Sequence, residues 1–344
     1  MPRLTFFQRV RQSRAFLLIS LAIFVIIILY IVRGSTVFNE FNLFQILMNL
    51  SYEGLFVAAM ACLLMSGGFD FSLASQATLG TLIFVELSNQ NPDVSWIFFV
   101  ILVIILAFVM GLVNAFFSQY LNLMPFICTI AMSSVWTGVS VGWTGGLVKS
   151  INRPSFDAVA NARVFGLPIP WTFIFMLAVI IIYNQLIKRT RFGRNIMVAG
   201  GNPTAARLAG LNPKKIKTIL YMNASMLGML AGLVYTAQQR TATTTGLAQR
   251  MPEMRGLTSS MLGGVSFMGG AGGLTGAFWG LILISVLRDS LTLMNVQAWV
   301  VIFVNGMLLV VALTIDTMST RIRMRKLGLS TSGGGGMVMP GMSR

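Results

Sequence analysis

Asp70 lies in Ser66-Gly-Gly-Phe-Asp-Phe-Ser-Leu73, between two strongly apolar stretches. An ionised carboxylate there is costly unless it meets a partner, a helix N-terminus or water. Two roles suit it, and both can hold together. With Gly67, Gly68 and Phe69 it can shape the lining of a polar pathway, or it can cap a helix beginning near Phe71 by accepting hydrogen bonds from free amides. Glu53 and Glu86 are the other acids in apolar company. Either could relay protons, but each falls near an expected helix end where water is accessible. Asn114, Asn223 and Asn305 also sit within apolar runs; they are pathway candidates, although such amides more often tie helices together. Trp136, Trp143 and Trp171 flank the outer side of two expected helices, where interfacial anchoring is the default; Trp136 is kept as a candidate for stacking on a ligand.

Other chemistries are excluded by what the chain lacks. It has no histidine, so there is no imidazole base and a zinc site is not expected. Cys62 and Cys128 each lie inside an apolar stretch, so no structural disulfide is expected. Gly145-Gly-Leu-Val-Lys149-Ser150 lacks the glycine that a phosphate-cradling loop needs before its lysine. The chain is not expected to be an enzyme.

Composition dictates the elements that must position these residues. Hydrophobic residues make up 56% of the 344-residue chain and charged residues 10%, with several uninterrupted apolar runs near the roughly 20 residues that span hydrocarbon as a helix. The expectation is an all-α, polytopic helical membrane protein. The runs are too continuous for the alternating strands of an outer-membrane barrel. A net charge of +16 then reads as loop and tail cations that set topology, not as a nucleic-acid footprint. Arg3, Arg9, Arg11 and Arg14 precede an apolar run from Ala15 to Val32 that is too long for a signal core and has no small-residue cleavage site after it. It is expected to be a first transmembrane helix with its N-terminus inside.

Hydropathy with Gly and Pro punctuation predicts ten transmembrane helices, near 15–33, 45–66, 71–88, 96–118, 125–143, 171–187, 218–238, 256–269, 274–291 and 296–315. Between 188 and 217 stand eight Lys or Arg residues and no acid, which predicts a cytoplasmic loop. Ten crossings place both that loop and the tail bearing Arg321, Arg323, Arg325 and Lys326 in the cytoplasm. Residues 1–326 form one membrane domain in this reading, and the Gly- and Met-rich 327–344 is an expected disordered cytoplasmic tail. Five crossings on each side of the Thr144–Pro170 loop would invert the second half relative to the first. Met65-Ser-Gly-Gly-Phe-Asp-Phe and Met261-Leu-Gly-Gly-Val-Ser-Phe share a pattern, with Gly80 and Gly276 at the same offset. On the helix limits above, however, the two copies do not fall at equivalent junctions.

Within the basic loop, Asn202-Pro203 followed by Thr204-Ala205-Ala206-Arg207-Leu208-Ala209-Gly210 reads as a short, amide-capped helix with small residues and a terminal glycine. Such a helix can dock in a partner's groove with little steric obstruction, or lie on lipid. Its Ala-Ala-x-x-x-Gly spacing resembles the ATPase-contacting loop of ABC importer permeases, and the surroundings resemble the ribose, xylose, arabinose and galactose branch. Gly67-Gly-Phe-Asp-Phe-Ser-Leu is similar to that family's Gly-Gly-Ile-Asp-Leu-Ser-Val. Thr190-Arg-Phe-Gly-Arg through Gly200-Gly-Asn and Ala205-Ala-Arg-Leu-Ala-Gly is similar to its central loop. Leu262-Gly-Gly-Val-Ser-Phe-Met-Gly-Gly-Ala-Gly-Gly with Gly276 is similar to its late glycine-rich segment. The chain departs at Glu253-Met-Arg-Gly-Leu-Thr-Ser, where Arg255 replaces an acid of the usual Glu-Leu-Asp-Ala-Ile-Ala-Ala, at the bulkier Phe69 and Phe71, and at Ala74 in place of a glycine.

The resemblance implies an ABC importer permease fold and a translocation subunit for a monosaccharide or similar small polar solute, in the bacterial inner membrane. It implies an ABC ATPase subunit gripping Asn202, Thr204, Ala205, Ala206, Arg207 and Gly210, a second permease copy or related chain, and an extracytoplasmic solute-binding protein. No cofactor is expected on this chain, since ATP and Mg would be used by the ATPase. The alternative is an ion-coupled secondary carrier with Asp70 or Glu86 as the coupling group.

Overall fold

Turn chemistry sets where the apolar runs begin and end. The computed structural model describes residues 14–34 and 39–326, so the 327–344 tail lies outside the described residues. In chain order the helices are α1 (Arg14–Arg33), α2 (Glu40–Met65), α3 (Leu73–Gln90), α4 (Trp96–Ala115, continuing as a wider turn over Phe116–Tyr120), α5 (Pro125–Thr144) and α6 (Pro154–Asn161). There follow α7 (Trp171–Arg189), α8 (Arg191–Gly201), α9 (Pro203–Leu208), α10 (Pro213–Gln239), α11 (Pro252–Leu262), α12 (Leu274–Leu293) and α13 (Ala298–Lys326). Side-chain oxygens of Asn39, Thr190, Asn202 and Asn212 accept the free amides at the starts of α2, α8, α9 and α10. Proline opens α5, α6, α9, α10 and α11, where its missing N–H costs nothing.

All ten expected segments are helices. Seven, namely α2, α4, α5, α7, α10, α12 and α13, are by length and composition apolar enough to cross a membrane, which makes this a multi-pass membrane protein. The other three are α1, apolar over Phe16–Ile31, the polar-rich α3, and α11. The expected helix at 256–269 is corrected, because α11 stops at Leu262. There Gly264 takes φ +90°, its N–H donates to the Met261 carbonyl at 2.9 Å, and the Val265 N–H donates to the Ser260 carbonyl at 2.9 Å. This closed turn satisfies the last carbonyls and ends the helix.

The core lies around α2 and α10. Every α2 residue from Leu50 onward is buried, so this part of the helix has no solvent stripe. It packs against α7, α10, α11 and α12, while α10 also packs on α3 and α4. At the contact of α11 with α12, a Cβ on Gly280 would stand 2.1 Å from the Ser259 carbonyl oxygen, so only glycine lets these backbones approach so closely. α13 lies outside, resting on α11 and α12, and shows Trp299, Ile302 and Phe303 outward.

The segment after α5 is more than a loop. Lys149–Ser150 (β1) pairs antiparallel with Thr241–Ala242 (β2), and α6 follows. Arg153 donates to the carbonyls of Ser88 at 3.0 Å and Pro92 at 2.6 Å, tying this end of the bundle to the end of α3.

Candidate functional site

Two breaks in the helical backbone define the site. The first lies between α2 and α3. Gly67 takes φ +71°, its N–H donates to the Leu64 carbonyl at 2.8 Å, and the Gly68 N–H donates to the Leu63 carbonyl at 3.0 Å. This is the same turn that ends α11, so the two Gly-Gly motifs do occupy equivalent helix ends, one residue out of phase. The expectation that they fall at different junctions is corrected, and its cause was the overlong eighth helix. Glu53 meets Arg255, Gly256 abuts Phe56, and the Gly270 N–H donates to the Met65 carbonyl at 2.9 Å. α2 and α11 therefore run in one direction, with their breaks at the same end of the bundle. This echo is thus not part of an inverted pairing.

Asp70 holds the first break closed. Its carboxylate accepts the Ser72 N–H at 2.8 Å, the Ser72 hydroxyl at 2.6 Å, the Asn114 amide at 2.9 Å and the Gln76 amide at 3.4 Å. All four residues are fully buried, as a polar group away from water requires. The capping role holds in a modified form, because the helix starts at Leu73, not Phe71, and Asp70 reaches only the Ser72 amide before it. Asp70 does not line an open route here. Tyr221 donates its hydroxyl to the Phe69 carbonyl at 3.1 Å, and the Phe69 ring stacks on Phe267 with centroids 5.2 Å apart. Phe71 and Phe126 meet edge to face at 5.6 Å and complete an aromatic cover over both breaks.

The second break, residues 263–273, has no acid of its own. The Phe267 N–H donates to the Asp316 carboxylate of α13 at 3.2 Å. Gly269, Gly270 and Gly272 all take positive φ, a backbone path that other residues resist.

A third segment joins the two breaks. α8 ends in Gly200-Gly201, and a Cβ on Gly200 would lie 2.1 Å from the Met65 carbonyl oxygen and 2.9 Å from the Gly270 nitrogen. One on Gly269 would lie 2.9 Å from the Gly200 carbonyl oxygen and 2.7 Å from the Gly67 nitrogen. Three pieces of main chain distant in sequence thus meet with no side chain between them. Immediately after this node, Asn202 caps α9 by accepting the N–H groups of Thr204 at 3.1 Å and Ala205 at 2.9 Å. Ala206 is completely buried against the protein's own core, so the outward face of α9 consists of Thr204, Ala205, Arg207 and Leu208. Leu208 is 87% exposed. Gly210 ends the helix at φ +79° with open space around it.

The remaining candidates scatter. Asn223 accepts the Tyr183 hydroxyl and ties α10 to α7. Asn305 lines a cavity beside α13. Trp136 is half-buried, and Trp143 and Trp171 are exposed as anchors would be. Glu86 pairs with Lys149 at 2.8 Å near the end of α3. Glu53 corrects the expectation of a water-accessible helix end: it is buried within α2 and paired with both Arg255 and Arg288, with Ser285 donating at 3.3 Å. Arg255, conspicuous in the sequence as the replacement of an acid, thus has its counter-charge in Glu53. Sequence reasoning missed Ser72, Gln76, Arg288 and Asp316. The signal for Arg288 was present, since a cation inside an apolar helix demands an acid elsewhere.

The family described as branched-chain amino acid transport system / permease component matches residues 42–313. The ribose import permease protein RbsC of Bacillus subtilis is 26% identical over 86% of this chain and 91% of its own length. The L-arabinose transport system permease protein AraH of Escherichia coli is 28% identical over 92% of this chain and 94% of its own. The galactose/methyl galactoside import permease protein MglC of Haemophilus influenzae is 28% identical over 86% and 93%. No solved structure matches the chain significantly. A match that takes in both breaks, the node and α9 shows that the chain belongs to the branched-chain amino acid transport system permease component family.

Proposed function

We propose that this chain is the membrane subunit of an ATP-driven importer, forming, with a second copy or a related chain, the pathway for a monosaccharide or similar small polar solute. The convergence of Gly67, Gly200 and Gly269–Gly270 beneath the exposed α9 carries the reading. A cytoplasmic ATPase subunit gripping Thr204, Ala205, Arg207 and Leu208 pushes α8 through Gly200-Gly201 directly against both breaks, with no flexible side chain to absorb the movement. The aromatic cover of Phe69, Phe71, Phe126 and Phe267 rides on those breaks and opens or closes with them. ATP and Mg are used by the partner, and this chain contributes no catalytic group. The relatives' ribose, arabinose and galactose point to a sugar, delivered by a binding protein at the extracytoplasmic end. The basic 188–217 segment supports an inner-membrane orientation with both termini in the cytoplasm.

An ion-coupled carrier is not favoured. Glu86 is neutralised by Lys149 in a loop contact, and Asp70 is saturated by hydrogen bonds within its own break. Co-purification from gently solubilised membranes tests the proposal: an ATPase subunit remains with the wild-type chain and is lost from Leu208→Asp, which leaves the buried Ala206 untouched. Uptake that survives without any ATPase and collapses with the proton gradient would overturn it.

A further inference from the structure

We propose that the cavity between α11, α12 and α13 is a binding site for one anionic phospholipid, with the phosphate held by Arg250 and Arg255 and an acyl chain lying between α11 and α13. The cavity has a volume of about 310 Å³, at the small end of ligand pockets. Its lining is amphipathic: Arg250, Arg255 and Asn305 are among its polar residues, and Met254, Ile284 and Leu309 among its apolar ones. A free sugar or a free phosphate would be poorly served by those apolar walls.

Charge argues for an anion. Arg288 and Arg255 share Glu53, and Arg288 also pairs with Asp289 at 2.7 Å. Arg250 forms no ion pair among the described residues; it lies over the Tyr235 ring at 5.4 Å and reaches the Tyr52 hydroxyl at 3.4 Å. Glu253, two residues before Arg255, does not line the cavity, and no other acid among the described residues does. The cavity wall therefore holds a cation in excess. A half-buried guanidinium without a carboxylate is strongly stabilised by a phosphate, which it can bind through two parallel hydrogen bonds.

Depth argues for an amphiphile. The Lys188 ammonium donates to the Thr275 hydroxyl at 3.1 Å, so α12 starts at the basic end of the bundle and α13 starts at the opposite end. Ile302 and Asn305 lie one to two turns into α13, about 6–10 Å along its axis, at the level where head groups give way to acyl chains. Ile302 is 72% exposed and Met251 57%, so the cavity opens sideways through apolar residues into the surrounding bilayer.

Native mass spectrometry of the intact permease in mild detergent, titrated separately with phosphatidylglycerol, phosphatidylcholine and inorganic phosphate, tests this. One phosphatidylglycerol is expected to bind about tenfold more tightly than phosphatidylcholine, and inorganic phosphate should not displace it. Arg250→Gln should bring the two lipids level, while Arg250→Lys retains most of the preference. Gly306→Leu, which fills the cavity without touching a charge, should abolish the bound lipid even if Arg250→Gln fails to fold. Equal retention of both lipids by the wild-type protein, undiminished phosphatidylglycerol in Gly306→Leu, or displacement by inorganic phosphate would each overturn the proposal.

Discussion

The break after α2 and the break after α11 end their helices with the same glycine turn, yet they are stabilised in opposite ways. The first carries its own acid: Asp70 gathers the donors of Ser72 and Gln76 from its own neighbourhood and that of Asn114 from α4. The second depends on a distant helix, since its one side-chain carboxylate comes from Asp316, 49 residues from Phe267. A buried carboxylate held by four hydrogen bonds is expensive to rearrange, whereas a single hydrogen bond from an outlying helix is not. In the proposed cycle the first break is therefore the fixed side of the node and the second is the part that moves when α8 is pushed.

The largest effect is expected where the two breaks are held side by side. Glu53→Ala takes from the partly buried Arg255 its acid and leaves the buried Arg288 with Asp289 alone; it should cost about 3–5 kcal/mol, seen as a large drop in the thermal midpoint of the purified protein. A drop no greater than that of an exposed control substitution would show that the ion cluster does not hold α2 against α11. Gly200→Val comes next, because forcing a side chain into backbone contact costs about 1–3 kcal/mol and separates both breaks from α8. Uptake should be lost while the ATPase subunit still co-purifies, and normal uptake would remove the node from the mechanism.

Asp70→Ala leaves the buried Ser72 amide unpaired while the Gln76 and Asn114 amides keep the Ser72 hydroxyl, at a cost of about 1–3 kcal/mol, whereas Asp316→Ala gives up one hydrogen bond of about 1 kcal/mol. Equal thermal shifts for the two variants would break the asymmetry argued above. Asp70→Asn should retain assembly and lower uptake, sharpening the distinction between holding the break and merely folding. The smallest effect is expected from Asn202→Ala, which removes the α9 cap at about 1 kcal/mol and should weaken retention of the ATPase without changing the thermal midpoint appreciably. Full retention would mean that α9 is ordered by its partner, not by its cap.

Much of this was legible in the residues themselves. Hydropathy with Gly and Pro punctuation marked ten helical segments, seven of them long and apolar enough to cross a bilayer. Asn202-Pro203 marked the start of α9, because an amide cap and a proline at the first turn are local chemistry. The two Gly-Gly pairs announced themselves as backbone singularities. Less was legible where partners are far apart in the chain. Glu53 looked accessible because hydropathy cannot say that Arg255 and Arg288 converge on it, and Ala206 looked like part of the docking face because spacing does not tell which side of a six-residue helix turns inward.

The sequence alone determined the medium, the location of the long helical segments and the chemical character of each break, since these follow from side-chain transfer energies and local turn geometry. Only the tertiary structure decided that α2 and α11 run in the same direction, and that Gly67, Gly200 and Gly269 share one point of contact. It also decided which of the buried charges are paired. These depend on packing between segments separated by tens to hundreds of residues, and glycine, having no side chain, carries no mark of the backbone it will touch.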